Sequence, residues 1–457
     1  MTLNVVNPYS GENIQTIRSM SDVDVREAID RAVTFKPDFA NMPAYQRAQI
    51  LRKAAYLIET YAAELADLIV AESAKPIPYA KGEVARAVET FNFAADAALQ
   101  NHGEVIQMDA AKGGVGKIGY YVREPIGVVA AITPFNFPLN LVAHKVAPAI
   151  AAACPIVLKP SPMTPLTALR LREILLEAGL PEATFQVVVG DVVVGQALTT
   201  DPRIAMITFT GSYPVAEAIS KVAGVRRIAF ELGGNAATII DQDTPINDAL
   251  VKRLIGGSFA YSGQVCISIQ RIYIHESLYD ELKAALVKAT QALKLGDPAD
   301  PATDIGPLIN DQAPIRVKEW LNAALEQGAK LLVGGNYEGR LFEPTILENV
   351  TNTMQIMCAE AFAPLVNLIP YADFEAVLDQ VNDSEFGLQA GVFTPSMAKA
   401  MLAIKKLDVG GVIINDTPTF RVDHMPYGGN KKSGVGREGP RFALDDLTTL
   451  KMVVINP

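Results

Sequence analysis

Between residues 126 and 230, five short apolar runs, at 127–132, 155–158, 185–189, 204–209 and 227–230, alternate with stretches of helical period. One of those stretches, TPLTALRLREILLEAGLP, closes on Gly179 and Pro181, residue types that stop a helix. Strands separated by helices cannot pair as hairpins. They join through right-handed crossovers into a parallel sheet. The expectation is an α/β fold with a doubly wound sheet that binds its ligand at the carboxyl ends of its strands. A second α/β pattern occupies 235–425, with helices expected at 247–261 and 277–294 and apolar runs at 272–274, 365–369 and 411–414.

The first hundred residues read as mostly helical. Ser21 and Asp24 make a capping-box pattern, and Val25, Ala28, Ile29, Ala32 and Val33 follow at helical spacing. The same period returns at Ile50, Leu51, Ala54, Leu57 and Ile58, and again at Val84, Ala87, Val88, Phe91 and Ala95. At the other end, LTTLKMVVINP reads as a strand with nothing after it to pair with. Such an edge needs cover from another segment or another subunit.

A length of 457 residues allows about three domains of roughly 150 residues each. The net charge of −10 is spread without a long block of either sign, which argues against nucleic acid or an anionic membrane as partner. The apolar region 126–158 is broken by Pro134, Asn136, Pro138, Asn140, His144, Lys145, Pro148 and Pro155, so no membrane span is expected. MTLNVVNPYSGENIQ lacks the charged and apolar regions of a secretory signal, and a cytoplasmic location is expected. Cys154, Cys266 and Cys358 are too scattered for a disulfide framework or a zinc site, and no metal is expected.

Two stretches match G-x-G-x-x-G: Gly114, Gly116, Gly119 and Gly434, Gly436, Gly439. Neither follows a strand, opens a helix and precedes an acidic residue about 20 positions on, as a dinucleotide fingerprint requires. Both read as turns and close backbone packing.

Three cysteines are candidate nucleophiles. Cys154 enters a buried apolar strand and Cys358 lies in MQIMCAEAF, both settings in which a cysteine packs as a small apolar residue. Cys266, in SGQVCIS, follows Gly263 at a helix end, and on local sequence it divides between a nucleophile and a core residue. His102, His144, His275 and His424 read as surface or packing residues, which disfavours a papain-like hydrolase. Glu231, at a strand end before Gly233 and Gly234, is a candidate base whose burial would raise its pKa, or else a helix cap. Asn136, held between prolines in ITPFNFP, is a candidate oxyanion donor, and Lys159 ends a strand where cofactor hydroxyls or phosphates would lie.

ITPFNFP, LKPS, FTGS, FELGGN, GQVC, EAFAP and PYGGNKKSGVGREG, in this order, resemble the aldehyde dehydrogenase superfamily over essentially the whole chain. The resemblance implies a Rossmann-like cofactor domain of residues 1–112 and 127–232, a catalytic domain of 233–425, and a small β oligomerisation extension of 113–126 and 426–457. It implies Cys266 as nucleophile, Asn136 with the Cys266 amide as oxyanion hole, and Glu231 as base. Thr133, Pro134, Lys159, Ser161, Gly211, Ser212, Leu232, Glu360 and Phe362 would bind NAD or NADP. Because Glu231 is present, hydrolysis of the thioester is expected rather than acyl transfer to coenzyme A. Pro162 stands where NAD-preferring members often carry glutamate, which makes NADP admissible.

INDTPTFRVDHMPYGGNKKSG looks like the branch that includes lactaldehyde dehydrogenases and enzymes of glyceraldehyde 3-phosphate, phosphonoacetaldehyde and sulfolactaldehyde. A small polar, often anionic aldehyde is implied, with Arg421 as partner of its anionic end or as a structural ion pair. A homodimer or homotetramer is expected. The competing readings are a cysteine-dependent acyl-transferase or hydrolase without redox chemistry, and a non-catalytic relative.

Overall fold

In the computed structural model, which describes residues 2–457, the alternation at 126–230 builds a six-stranded sheet. Its order is Gly434–Val435, Arg227–Glu231, Ile204–Thr210, Val128–Ile132, Ile156–Lys159, Phe185–Val187. All neighbours are parallel except Gly434–Val435, which runs antiparallel to Arg227–Glu231. The chain adds strands in one direction from Val128–Ile132 and then returns to its other side with Ile204–Thr210. That reversal is a topological switch point, where the connections diverge and leave a crevice. The fold is α/β, with the doubly wound sheet expected from the sequence.

Alternate residues of each strand point to opposite faces. Val129, Ala131, Ile156 and Leu158 pack under the helices Ala44–Thr60, Ile77–Leu99, Asn140–Ala151 and Leu166–Glu177. Val128, Ala130, Val157 and Ile207 pack on the other face under Asp22–Ala40, Val192–Thr200 and Tyr213–Ala223. The Ser21–Asp24 capping box opens the helix Asp22–Ala40 as its pattern indicated.

A second sheet of seven strands has the order Lys330–Val333, Thr345–Glu348, Leu365–Tyr371, Arg271–His275, Ala237–Ile240, Gln389–Phe393, Gly411–Ile414. It is parallel apart from its outer strand Lys330–Val333. The third sheet joins the C-terminal strand Thr448–Ile455 to Ile118–Pro125 and the short Val105–Ile106.

Three local features depart from the sequence pattern. An exposed antiparallel hairpin, Thr2–Val6 with Asn13–Arg18, precedes the first helix; its second strand, NIQTIR, is too polar to register as a strand. The helix expected at 247–261 ends at Phe259, because Tyr261 and Ser262 enter the left-handed region with φ of 49° and 55°. The second glycine motif supplies an edge strand of the six-stranded sheet. Both motifs serve close packing: a Cβ at Gly114 would lie 2.0 Å from the Met108 carbonyl oxygen, and one at Gly434 would lie 2.3 Å from that of Phe230.

The two large sheets approach where strands of the first end: Asn136, beyond Ile132, bonds the Gln264 carbonyl, and Gly233 and Gly234, beyond Glu231, lie against Glu360, the Cys266 carbonyl and Leu388, in segments that lead into the second sheet.

Candidate active site

Cys266 sits at the end of a turn that the chain makes only under restraint. Tyr261, Ser262 and Gly263 all have positive φ. Tyr261 Oη donates to the Ser73 carbonyl at 2.9 Å, and Ser262 Oγ donates to that of Gly306 at 2.7 Å. A side chain at Gly263 would collide with the Ala363 carbonyl oxygen, 2.1 Å from where its Cβ would lie. The turn delivers the half-buried Cys266, whose Sγ lies 3.0 Å from Tyr427 Oη.

Asn136 and Glu231 reach, from the six-stranded sheet, the two segments that hold Cys266 and Tyr427. Asn136 lies in the loop between Val128–Ile132 and Asn140–Ala151, and its Nδ2 donates to the Gln264 carbonyl at 2.9 Å. The second Nδ2 hydrogen remains free. Glu231 ends its strand buried; a Cβ at Gly428, next to Tyr427, would lie 2.7 Å from Glu231 Oε1, and Oε2 has no partner.

The electrostatics explain why local sequence around Cys266 looked inert. Burial pushes its thiol up to about 11; the Tyr427 hydroxyl and Arg421 oppose this, and Glu360 and Glu231 add to it. Burial also holds Glu231 well above the usual carboxylate range, helped by Glu438 and opposed by Arg421, Lys145 and Arg437. Burial would raise Glu438 too, but Lys145, His144 and Arg421 pull it down to about 2. Of the two buried carboxyls, the surrounding cations favour the charged form of Glu438, and burial favours the protonated form of Glu231.

Arg421 lies in this group. Its Nη2 pairs with Glu438 Oε2 at 3.1 Å, and its guanidinium stacks 3.7 Å over the Tyr427 ring. Its Nε has no partner. Lys145 completes the network, donating to Glu438 Oε1 at 3.1 Å and to Thr208 Oγ1 at 3.0 Å.

The residues expected to hold a dinucleotide cluster at the switch point. Thr133 Oγ1 and Thr210 Oγ1, at the ends of adjacent strands, are buried without partners. Lys159 Nζ has only a 3.5 Å contact with the Pro160 carbonyl, and Ser161 Oγ accepts from Met163 N at 3.2 Å. Pro134 follows Thr133 in the same loop, and Leu232 is buried with its amide on the Ser433 carbonyl. Gly211 lies flat against the Phe209 ring, and Ser212 stands at the N-cap of Tyr213–Ala223 without a side-chain capping bond.

Glu360 accepts from Gly234 N at 3.1 Å, and burial raises it to about 7 against the pull of that amide and of Arg316. Phe362 meets Phe135 edge-on at 5.8 Å beside a cavity of about 400 Å³ that Gln264, Asn310 and Arg316 also line. Unspent hydroxyls, a free ammonium and a crevice at the switch point fit a dinucleotide.

Tyr427, Glu438 and Lys145 escaped the sequence reading. Tyr427 stood in the quoted PYGG, where its hydroxyl gave no sign of reaching a thiol 161 positions away. Lys145 and Glu438 are 293 positions apart, and only the fold pairs them. Cys154 is buried with Sγ 3.2 Å from the Leu447 carbonyl, and Cys358 is exposed. His144 is buried on Asp423 at 2.8 Å. Among the described residues no helix is long and apolar enough to cross a membrane.

Residues 1–453 match the aldehyde dehydrogenase family. The 3-sulfolactaldehyde dehydrogenase of Priestia megaterium is 42% identical, over 99% of this chain and 95% of its own length. Aldehyde dehydrogenase 21 of Physcomitrella patens, solved with the reaction product succinate, superposes with a TM-score of 0.98 at 41% identity, covering 100% of this chain and 95% of that one. The NADP complex of a glyceraldehyde-3-phosphate dehydrogenase from Methanocaldococcus jannaschii gives 0.95 at 39% identity, covering 100% and 99%. Similarity of this extent, over the whole chain and on the same fold, means that the protein belongs to the aldehyde dehydrogenase family.

Proposed function

We propose that the protein oxidises a small polar, anionic aldehyde to its carboxylate with NAD or NADP, through a thioester on Cys266. The observation that carries this is what surrounds Cys266: Tyr427 bonded to its Sγ, Arg421 stacked on that tyrosine, Glu231 against the neighbouring Gly428, and Asn136 bonded to the Gln264 carbonyl two residues before it. The catalytic roles are Cys266 as nucleophile, the free Nδ2 hydrogen of Asn136 and the Cys266 amide as oxyanion donors, and Glu231 as base.

Each step follows from these groups. The proton of the half-buried Cys266 thiol passes to solvent water, and the thiolate left behind is favoured by the Tyr427 hydroxyl and the Arg421 charge. Sulfur adds to the aldehyde carbon, and the oxyanion settles between Asn136 Nδ2 and the Cys266 amide. A bound nicotinamide supplies the acceptor for the hydride that this carbon gives up. What remains on Cys266 is a thioester. Glu231, once its proton has gone to solvent, takes a proton from water as the hydroxide adds to the thioester carbon; the adduct collapses to the carboxylic acid and Cys266 thiolate, and the acid gives its proton to solvent as the carboxylate product.

Thr133, Pro134, Lys159, Ser161, Gly211, Ser212, Leu232, Glu360 and Phe362 would bind the dinucleotide. Pro162 places no carboxylate against a 2′-phosphate, so either cofactor is admitted. Arg421 is the proposed partner of the substrate anion through its unpartnered Nε. The named relatives, a sulfolactaldehyde dehydrogenase, a succinate complex and a glyceraldehyde-3-phosphate dehydrogenase, support an anionic substrate. The division into a cofactor domain (1–112 and 127–232), a catalytic domain (233–425) and an oligomerisation extension (113–126 and 426–457) belongs to the same proposal. So do a homodimer or homotetramer and a cytoplasmic location, since a catalytic thiol suits a reducing compartment.

The test is a panel of sulfo-, phospho-, carboxy- and uncharged small aldehydes with NAD or NADP, read by the absorbance of the reduced nicotinamide. Turnover that disappears in Cys266→Ala is expected. Full activity in Cys266→Ala, or no turnover with any aldehyde, would overturn the proposal. Arg421→Ala is expected to lose about tenfold or more in kcat/KM for anionic aldehydes and little for uncharged ones.

A further inference from the structure

Lys75 is buried completely, in the turn between the helices Ala62–Ser73 and Ile77–Leu99, and the mechanism above does not use it. Its ammonium pairs with Glu83, which is equally buried. A buried pair of this kind is costly to desolvate, and its attraction repays that cost only with good geometry and further hydrogen bonds on the remaining oxygens and protons. The other atoms around the pair show where its further contacts lie.

Glu83 Oε1 accepts from Leu139 N at 2.8 Å and from Asn140 N at 3.1 Å. These amides belong to the start of the helix Asn140–Ala151, so Glu83 anchors the far end of the loop that carries Asn136. The Lys75 ammonium lies 3.7 Å from the ring centroid of Phe137, the residue after Asn136. It also lies 4.8 Å from that of Tyr261, the first residue of the left-handed turn leading to Cys266. Tyr261 Oη closes the arrangement on the Ser73 carbonyl, two residues before Lys75. One cation therefore touches the loop of each oxyanion donor.

We infer that Lys75, held by Glu83, is a positioning residue that joins the Asn136 loop to the Cys266 turn and sets the spacing between the two oxyanion donors. This rests on the reading of Asn136 as an oxyanion donor. Lys75 touches neither substrate nor thiol; it acts through Phe137 and Tyr261. A cation against aromatic faces in a dry site is a strong, directional contact, and an error near 1 Å in a donor's place is enough to slow catalysis.

The test uses hydrolysis of p-nitrophenyl acetate by the full-length enzyme, which needs the Cys266 thiolate and the oxyanion donors and no cofactor. Lys75→Met with Glu83→Gln removes both charges together, leaves no lone buried ion, and keeps an amide oxygen on Leu139 N and Asn140 N. Compared with wild type, this pair is expected to lower kcat about tenfold or more with KM within about twofold. In an Asn136→Ala background, itself about a hundredfold slower, the same pair should cost less than about threefold, because the donor it positions is gone. A kcat within threefold of wild type, or an equal loss in both backgrounds, would overturn the inference, since a merely structural role loses equally in both.

Asn136→Ala with undiminished kcat would remove the oxyanion reading and this inference with it, and that failure is visible with Lys75 intact. Should the double variant fail to fold, Phe137→Leu keeps the ion pair and takes away the ring on the Asn136 side. It is held to the same non-additivity and the same overturning result.

Discussion

Cys266 carries the least reactive protonation state its chemistry allows: burial holds the thiol near 11, so the nucleophilic thiolate is scarce at neutral pH. Alkylation by iodoacetamide should therefore rise steeply with pH through the alkaline range. The Tyr427 hydroxyl, 3.0 Å from Sγ, favours the thiolate by hydrogen bonding. In a Cys358→Ser background, which removes the exposed thiol, Tyr427→Phe should slow alkylation of Cys266 several-fold at pH 8 while leaving Cys154, fully buried, unlabelled. Addition of NAD or NADP should change the rate for wild type, because a nicotinamide beside the thiol alters its burial and its field; a rate indifferent to both cofactors would place activation in the protein alone.

Glu231 has the complementary problem. Its pKa lies well above that of a free carboxyl, so the basic form is gained as pH rises through that value and lost below it. Deacylation should accordingly climb with pH while hydride transfer, which does not use Glu231, climbs only with Cys266. Glu231→Gln should preserve a rapid single-turnover burst of reduced nicotinamide and slow the following steady state by about a hundredfold or more. A loss of burst and steady state in equal measure would assign Glu231 to Cys266 deprotonation instead.

Among the elements, the turn at Tyr261–Gly263 does the most with the least. It stops the helix that the apolar period would have continued past Phe259, and it aims Cys266 at Tyr427. Its shape depends on Gly263, with φ of 68° and the Ala363 carbonyl where a side chain would lie. Gly263→Ala meets both a left-handed conformation and a clash with backbone. We expect a fall in stability of more than about 1 kcal/mol and a loss of activity beyond what the lowered Tm explains, measured by thermal unfolding and by burst amplitude.

The same element marks where the sequence could be read and where it could not. Strands at 128–132, 156–159, 204–210 and 227–231 were legible because parallel strands buried on both faces are continuous apolar runs. Cys266, Glu231 and Asn136 are proposed as site residues from motif order. Tyr427, Lys145, Glu438 and the Lys75–Glu83 pair were not legible, since each partner lies on a different element and no local period announces a long-range ion pair.

At the scale of the molecule, the C-terminal strand is where the proposed homo-oligomer can be tested. Thr448–Ile455 pairs along its length with Ile118–Pro125, from Thr448 opposite Pro125 to Ile455 opposite Ile118, and among the described residues no strand pairs with its other edge. Leu450, Met452, Val454 and Ile455 are exposed in the single chain. A long, flat edge with apolar side chains is an aggregation site unless something pairs with it, and the proposed homo-oligomer supplies that partner.

Met452→Lys with Val454→Lys puts two ammonium groups on this surface. Surface changes of that kind leave a monomer within about 0.5 kcal/mol each. In an assembly they would be buried without partners. The variant should elute as a smaller species than wild type in size-exclusion chromatography with light scattering. The proposed oxyanion donors, Asn136 and the Cys266 amide, lie in one chain, so p-nitrophenyl acetate hydrolysis per subunit should survive dissociation. An unchanged mass for the double variant would remove this edge from the interface and leave its exposed side chains to be accounted for elsewhere.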